Sequence, residues 1–566
     1  MKKIPYGISN FHNLREQNYI YVDKTDYIEL LENYDEKYIF FLRPRRFGKS
    51  LFISLLDSYY NINNKKEEFN NLFQGLYIVE NQTSLAHSYY ILNFNFSGIN
   101  TSDKRSLLKG FRKCVLDGLK EFVKRYQLAL DYEKKGMPSE ILLSFLTEVK
   151  YSIDDNIYVL IDEYDHFANE LLSFQVDTFE KTVSKTGFVR KWYEVLKQGT
   201  KTGIVDRIFA TGVSPITLDS LTSGFNIAEN LTRDKNLNQM MGFTEKEVKT
   251  LLRNVLGAEI DQHKIMPKLK DYYNGYLFNE KAEEKVFNSD MVLRYIKNYK
   301  KYNKPPEDLI DTNISSDYSK MQQLFTLKNK KRNYQILEEI LEGKLQKTTI
   351  TREYSLAKEF TKDDFRSLLF YLGFLTIKGN ILNRVKLGIP NYVIKELYFD
   401  FFADIVRKET NYELDTADIK DSIEKIAING DIDDFVKIIE KTLSKISNRD
   451  FIKFDEKYIK LIMISYLILS KLYYVKSEYE VEDGYIDITL LQRSELELNY
   501  EAIIEVKYIK KQNYKKKGEE IVENKLKEAK SQIMKYKQAE ELSDIKNLKK
   551  WVLVFAGDKC LRKIEI

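Results

Sequence analysis

Three stretches of this sequence hold residue types at spacings that chemistry can use. The first is Gly48-Lys49-Ser50. It follows an apolar run, Tyr38 to Leu42, and precedes a run of helical periodicity through Leu51, Phe52, Ile53, Leu55 and Leu56. Strand, loop, Gly-Lys-Ser, helix is the order that gathers backbone N–H groups and a helix N-terminus around a phosphate. There Lys49 would reach the β- and γ-phosphates of ATP, and the Ser50 hydroxyl would ligate Mg²⁺. The usual pattern opens with Gly five residues before the second Gly, a position held here by Arg43. A chance Gly-Lys-Ser is the alternative.

The second stretch is Asp162-Glu163, at the end of the apolar run Ile157 to Ile161. An acidic pair at the carboxyl end of a buried strand is the usual partner of a phosphate loop. Asp162 would hold the Mg²⁺ shell and Glu163 would polarise the attacking water. Two solvated acids at a surface strand end would look the same. Thr211 ends a further apolar run, Arg207 to Thr211. It is a candidate to sense the γ-phosphate or the water, with capping of the next turn as its alternative role. Arg207 and Arg233 are candidate charge-stabilising arginines.

The third stretch is Asp487, then a gap of 17 residues, then Glu505-Val506-Lys507. Period-two alternation in Glu501 to Ile509 puts Glu505 and Lys507 on one face of a strand. An antiparallel neighbour, Tyr485 to Leu491, would bring Asp487 opposite Glu505. Two carboxylates holding Mg²⁺ beside a lysine that activates water are what phosphodiester hydrolysis requires. This is the PD-(D/E)XK pattern, permissive as a string and improved by its helix, strand, strand, strand, helix, strand context. Glu456, on the preceding apolar helix Asp455 to Leu469, is a weaker candidate for an extra metal acid. Six lysines lie between Lys507 and Lys517, interleaved with Tyr508 and Tyr514, as either a DNA-backbone contact or a solvated loop.

RPRRFGKS, LIDEYD and FATGVSP resemble the AAA-ATPase-like proteins, a bacterial group whose ATPase module is commonly fused to a PD-(D/E)XK nuclease-like domain. That group typically has Arg at the position of Arg43. The resemblance is strongest from Ile4 to about Phe243. It implies a nucleotide-binding set of Arg46, Phe47, Gly48, Lys49, Ser50, Leu51 and Asp162. It also identifies Val22-Asp23-Lys24-Thr25 as a segment beside the nucleotide, where a plain strand-to-helix turn is the other reading. Gln532 and Tyr536 look like the Gln-Ile-x-x-Tyr element of the nuclease domain, with Gln532 an active-site helper. Tyr485 stands where that group usually has Arg.

The elements that must position these residues follow from the pattern. Strands at Tyr38 to Leu42, Ile91 to Phe96, Ile157 to Ile161 and Arg207 to Thr211, separated by helices at Ser106 to Leu130 and Ser139 to Tyr151, predict a parallel sheet covered on both faces. Ligands then bind at the carboxyl ends of the strands. Tyr19 to Val22 is a further short strand, before a helix at Tyr27 to Leu31. Asn61 to Asn71 is a polar insertion. A capped helix follows at Glu247 to Leu256. Pro305-Pro306 marks a linker. Helix, ribbon and helix at Thr361 to Leu375, Leu375 to Leu387 and Tyr392 to Ile405 suit a winged-helix-like connector. In the last domain, strands at Tyr473 to Glu480, Tyr485 to Leu491 and Glu501 to Ile509 follow the apolar helix. The turn is at Glu482-Asp483-Gly484, and Trp551 to Phe555 is the last buried strand. The expected fold is α/β throughout. A P-loop NTPase domain spans residues 1–285, a mostly helical connector 286–430, and a restriction-endonuclease-like domain 431–566.

A content of 43% hydrophobic and 31% charged residues describes a soluble chain with ample core. A net charge of +5 on 566 residues selects no partner. Cys114 and Cys560 alone provide no disulfide framework, which points to a reducing compartment. No His spacing suits zinc. Met1-Lys2-Lys3 leads into polar residues, so no signal peptide is expected. Leu461 to Leu469 falls far short of the roughly 20 residues that span a bilayer. The expectation is a cytoplasmic ATPase and Mg²⁺-dependent nuclease acting on nucleic acid, DNA by preference, in defence against foreign DNA. It has no membrane partner, and a homo-oligomer is allowed. The alternative is an ATP-dependent switch or DNA- or protein-binding module whose nuclease fold is inactive.

Overall fold

The structure is a computed structural model. It describes residues 2–167, 187–215, 226–257, 259–310, 315–327, 329–354, 359–410, 415–446, 455–481, 484–493, 496–536, 542 and 545–566. The chain divides into two compact units, one of residues 1–306 and 322–392, the other of 307–321 and 393–566. The segment expected as a connector is thus shared between the two.

The first unit is built on five parallel strands: β1 (Tyr38–Leu42), β2 (Tyr90–Asn95), β3 (Ile157–Asp162), β4 (Val205–Gly212) and β5 (Glu229–Asn230), in the order β2-β3-β4-β1-β5. Near-continuous burial of β1, β3 and β4 is what a sheet covered on both faces demands. Helices Lys49–Tyr60, Lys104–Arg125, Pro138–Val149 and Phe188–Lys201 connect the strands. Asp103 caps the second of these by accepting from the N–H groups of Arg105 and Ser106. It ends at Arg125, short of the expected Leu130, and Gln127 beyond it takes φ +53°.

Two expectations are corrected here. Tyr19 to Val22 forms a single bridge, Lys3 with Tyr19, and no strand. The chain is turned instead by Asp23, whose carboxylate accepts from the Thr25 N–H and hydroxyl ahead of helix Asp26–Glu32. The insertion at Asn61 to Asn71 carries helix Lys66–Phe73, since Phe69, Leu72 and Phe73 give it a buried face.

Residues 322–392 of this unit hold a three-stranded antiparallel sheet of β6 (Gln346–Thr348), β7 (Thr376–Ile381) and β8 (Arg384–Gly388), after helix Lys362–Tyr371. They are tied to the rest of this unit by Thr376, whose hydroxyl accepts from Leu277 N–H at 2.8 Å. Gly373 (φ +83°) lies so near Pro44 that a Cβ would come within 2.8 Å of that ring.

The second unit contains a mixed sheet of β9 (Tyr473–Val481), β10 (Gly484–Gln492), β11 (Glu501–Ile509), β12 (Leu548–Ala556) and β13 (Lys559–Glu565), in the order β13-β12-β11-β10-β9. Only β11 and β12 run parallel, and helices Lys511–Lys517 and Glu519–Tyr536 make the crossover between them. Val522, Leu526, Ala529 and Ile533 of the second helix pack with Ile486, Ile503, Val552 and Val554 in one core. Helix Glu456–Leu469 is buried around most of its circumference, which accounts for its apolar sequence. β12 is the last buried strand, as expected; β13 follows it with polar, half-exposed residues that give no apolar run. Glu482 and Asp483 of the expected turn lie outside the described residues.

Candidate functional site

The two clusters fall in separate units. In the first, β1 ends in a loop, residues 43–48, that delivers Lys49 to a helix N-terminus. Arg46 (φ +68°) and Gly48 (φ +93°) both take left-handed backbone. Gly48 stands at the N-cap, and a Cβ there would meet nothing within 4 Å, so the space over the loop is open. Lys49 is buried and donates to the carbonyls of Arg43 and Pro44, both at 3.0 Å. Burial lowers its pKa, while the negative charges of Asp162, Glu163 and Asp165 oppose that shift. A buried ammonium beside an open helix N-terminus is a donor set that fits a polyphosphate.

Arg43 explains the missing glycine. Its side chain is 1% exposed and turns into the core. There it donates to the carbonyls of Leu42 (2.9 Å), Thr232 (2.8 Å) and Leu237 (2.9 Å). The guanidinium lies between the rings of Phe41 and Phe278, 4.2 and 4.0 Å from their centroids. Burial pulls its pKa down to about 9, so it stays charged at neutral pH. Arg46 pairs with Asp290 at 2.7 Å, and Phe47 is buried edge-on to Tyr276 and Phe278. The loop is thus clamped on three sides.

The carboxyl ends of β3 and β4 meet beside it. Asp162 is buried, and its Oδ1 accepts from the Thr211 hydroxyl at 2.8 Å and from the Glu163 N–H at 3.0 Å. Thr211 therefore spends its proton on Asp162. Glu163 takes φ +52°, is half-exposed, and pairs with His166 at 3.2 Å. Asp165, not singled out from the sequence, accepts from Val213 N–H (3.0 Å), Ser214 N–H (2.6 Å) and the Ser214 hydroxyl (3.1 Å). The Tyr164 hydroxyl donates to Ser214 O at 2.6 Å. LIDEYD and ATGVS are two halves of one hydrogen-bonded corner.

Arg207 is elsewhere. It sits near the start of β4 among Tyr60, Tyr89 and Tyr158, at the end of the sheet opposite Lys49, so its candidacy is withdrawn. Arg233 is engaged by Glu280. Lys24 of the Val-Asp-Lys-Thr segment donates to Glu247 and to the Gln239 carbonyl, and lines a cleft of about 420 Å³.

In the second unit, β10 and β11 pair as Ile488↔Ile504 and Thr489↔Ile503, a register that continues to Asp487 opposite Glu505. Asp487 Oδ2 accepts from Val506 N–H at 2.9 Å. Glu505 is 2% exposed; its Oε1 accepts from Lys507 at 2.9 Å, and its Oε2 is buried with no partner. Burial first, then the charge of Asp487, pushes its carboxyl up to about 7. Glu456 Oε2 accepts from Tyr508 N–H and contributes to the field at Lys507. From helix Glu519–Tyr536, Gln532 brings an Oε1 that is likewise buried and unpartnered. Tyr536 donates to the Tyr485 carbonyl at 2.8 Å. An orphaned carboxylate oxygen beside a second carboxylate is an environment that fits a divalent cation.

Two residues here, Lys460 and Glu478, were missed from the sequence. Lys460 donates to Asp487 Oδ1 at 2.8 Å and to Glu478 at 3.0 Å. The sequence signal was a polar residue four beyond Glu456 on an otherwise apolar helix face.

A parallel α/β sheet with a phosphate-type loop, and a mixed sheet carrying Asp, Glu and Lys, define a protein of two enzyme-like folds. Residues 5–222 match the family described as predicted AAA-ATPase, and residues 454–565 match the PD-(D/E)XK nuclease superfamily. The chain joins a predicted AAA-ATPase domain to a PD-(D/E)XK nuclease superfamily domain. It is 28% identical over 301 residues to an uncharacterized protein of the vnfD 5′ region of Azotobacter chroococcum, a match spanning 52% of each chain. A Walker-type ATPase of Pyrococcus abyssi aligns at 13% identity and a TM-score of 0.36, over 68% of this chain and 97% of that one. Among the described residues, no helix is long and apolar enough to cross a membrane.

Proposed function

We infer that the chain is an ATP-controlled, Mg²⁺-dependent nuclease acting on DNA. The observation that carries this reading is Glu505 Oε2, a buried carboxylate oxygen without a partner, set against Asp487 and Lys507. Asp487, Glu505 and the Gln532 carbonyl would hold Mg²⁺, which supplies Lewis acidity and a water of lowered pKa. Lys507 orients Glu505 and offers positive charge to a phosphate. Helix Lys511–Lys517 has no buried residue and presents Lys515, Lys516 and Lys517 to solvent, which suits contact with a nucleic-acid backbone. In the first unit, Lys49 and the N-terminus of its helix bind the ATP phosphates. Ser50 and Asp162 hold its Mg²⁺, and Glu163 activates water. Defence against foreign DNA is a setting in which gating by ATP has a use, since an ungated nuclease would cut host DNA.

One observation favours a second reading, a switch without cleavage. Lys460 occupies Asp487 Oδ1, on the carboxylate a metal would need. An Asp487→Ala variant separates the two. The nuclease reading predicts Mg²⁺-dependent cleavage of plasmid or linear DNA that is lost in the variant while ATP binding persists. Cleavage that survives the substitution rejects it, and no cleavage by ATP-binding wild-type protein selects the switch.

A further inference from the structure

We propose that Lys460 is a built-in cation that takes the place of a second metal ion, so that this nuclease site holds one divalent ion. The proposal rests on the metal-dependent reading above.

Lys460 rises from helix Glu456–Leu469, and its side chain is 13% exposed. Its ammonium touches two carboxylates, Asp487 at 2.8 Å and Glu478 at 3.0 Å. Glu478 lies across from Asp487, between the β9–β10 pairs Ile486↔Tyr479 and Ile488↔Ser477. It takes φ +49° inside a strand, where a glutamate has no intrinsic reason to be left-handed. Such a conformation persists where surroundings enforce it. Here it accompanies a carboxylate that reaches Lys460. Helix, strained strand residue and ammonium therefore form a prepared arrangement.

The hydrogen bonds give the stoichiometry. Lys460 donates to Asp487 Oδ1 and to Glu478, Val506 N–H to Asp487 Oδ2, and Lys507 to Glu505 Oε1, which leaves Glu505 Oε2 as the one oxygen of the Asp487–Glu505 pair without a partner. One orphaned oxygen calls for one divalent ion. Without Lys460, Asp487 Oδ1 and Glu478 would lose their cation and stand open to a second ion. Each carboxylate oxygen has two lone pairs, so Asp487 can accept from Lys460 and from Val506 N–H and still face a cation beside Glu505 Oε2. Lys460 thus adds a fixed positive charge at Asp487 beside the one that Lys507 brings to Glu505.

The test is Mn²⁺ binding to the nucleotide-free full chain by equilibrium dialysis with EPR detection of the free ion. Counts are taken relative to an Asp487→Asn/Glu505→Gln double variant, which reports Mn²⁺ held elsewhere. Wild type is expected to bind one ion, Lys460→Arg one, and Lys460→Met two, with melting curves to verify that each variant is folded. Two ions on wild type, or one ion on folded Lys460→Met, overturns the proposal. No Mn²⁺ on wild type removes the metal-dependent reading and the proposal together, a pattern distinct from either. If Lys460→Met does not fold, the wild-type count still decides.

Discussion

Replacing Arg43 with glycine brings the loop closer to the common Gly-x-x-x-x-Gly-Lys-Ser pattern, and it should disable the loop. Arg43→Gly deletes three hydrogen bonds from a charged donor to the carbonyls of Leu42, Thr232 and Leu237. Two of those carbonyls belong to a segment almost 200 residues away. Leaving a buried acceptor unmade costs about 1–3 kcal/mol. Removing the cation from between Phe41 and Phe278 forfeits a further ~0.5–2 kcal/mol. Glycine adds up to about 1 kcal/mol of backbone entropy. Against this stands relief from burying a guanidinium with no carboxylate partner, the same burial that brings its pKa down to about 9. The net loss expected is ~3–5 kcal/mol, among the larger effects of a single substitution. The assays are chemical denaturation of the full chain, following the transition of the first unit, and titration with a fluorescent ATP analogue. The variant should unfold earlier and bind nucleotide at least tenfold more weakly than wild type. Wild-type affinity and an unshifted transition would refute the reasoning, and would mean that Arg43 is a passenger.

Three further outcomes follow from particular contacts. Glu163→Gln should retain ATP binding and lose turnover by about 10²-fold or more, measured as phosphate release; unchanged turnover would remove Glu163 from the water. Gly212→Ala places a Cβ 2.3 Å from Asp165 Oδ1 and 2.4 Å from the Tyr164 ring, so it should destabilise the first unit by ~2–4 kcal/mol in denaturation. Asp400, on helix Tyr392–Thr410, has its carboxyl pushed up to about 7 by burial first and Glu396 second. The stability held by its neutral form is complete below the ordinary carboxyl value and is lost as pH rises through about 7. Asp400→Asn should therefore melt with wild type at pH 4 and be more stable at pH 8, by ~1–3 kcal/mol for the second unit. A difference independent of pH contradicts this.

Much of the scaffold was legible because burial imposes simple patterns. β1, β3 and β11 read as apolar runs ending in polar residues, since each is covered on both faces and stops where a site begins. Strand alternation put Glu505 and Lys507 on one face, and the register that sets Asp487 opposite Glu505 comes from the pairing of β10 with β11. What stayed hidden depends on distant partners. The register of Asp165 with Val213 and Ser214 joins residues 48 and 49 positions apart, and Arg43 is explained only by carbonyls at 232 and 237. Lys460 is a polar break in an apolar helix, and only folding brings Asp487 to it. Arg207 misled in the opposite direction: it lies near the start of the strand whose carboxyl end carries Thr211, away from the end where ligands bind.

The most direct test of the account is cleavage of plasmid, linear and single-stranded DNA by the purified full chain with Mg²⁺ or Mn²⁺, with and without ATP, beside Glu505→Ala. The account predicts metal-dependent cutting that responds to ATP and disappears in Glu505→Ala. Cutting that persists in the variant, or an ATP-binding preparation that cuts no substrate, would contradict it.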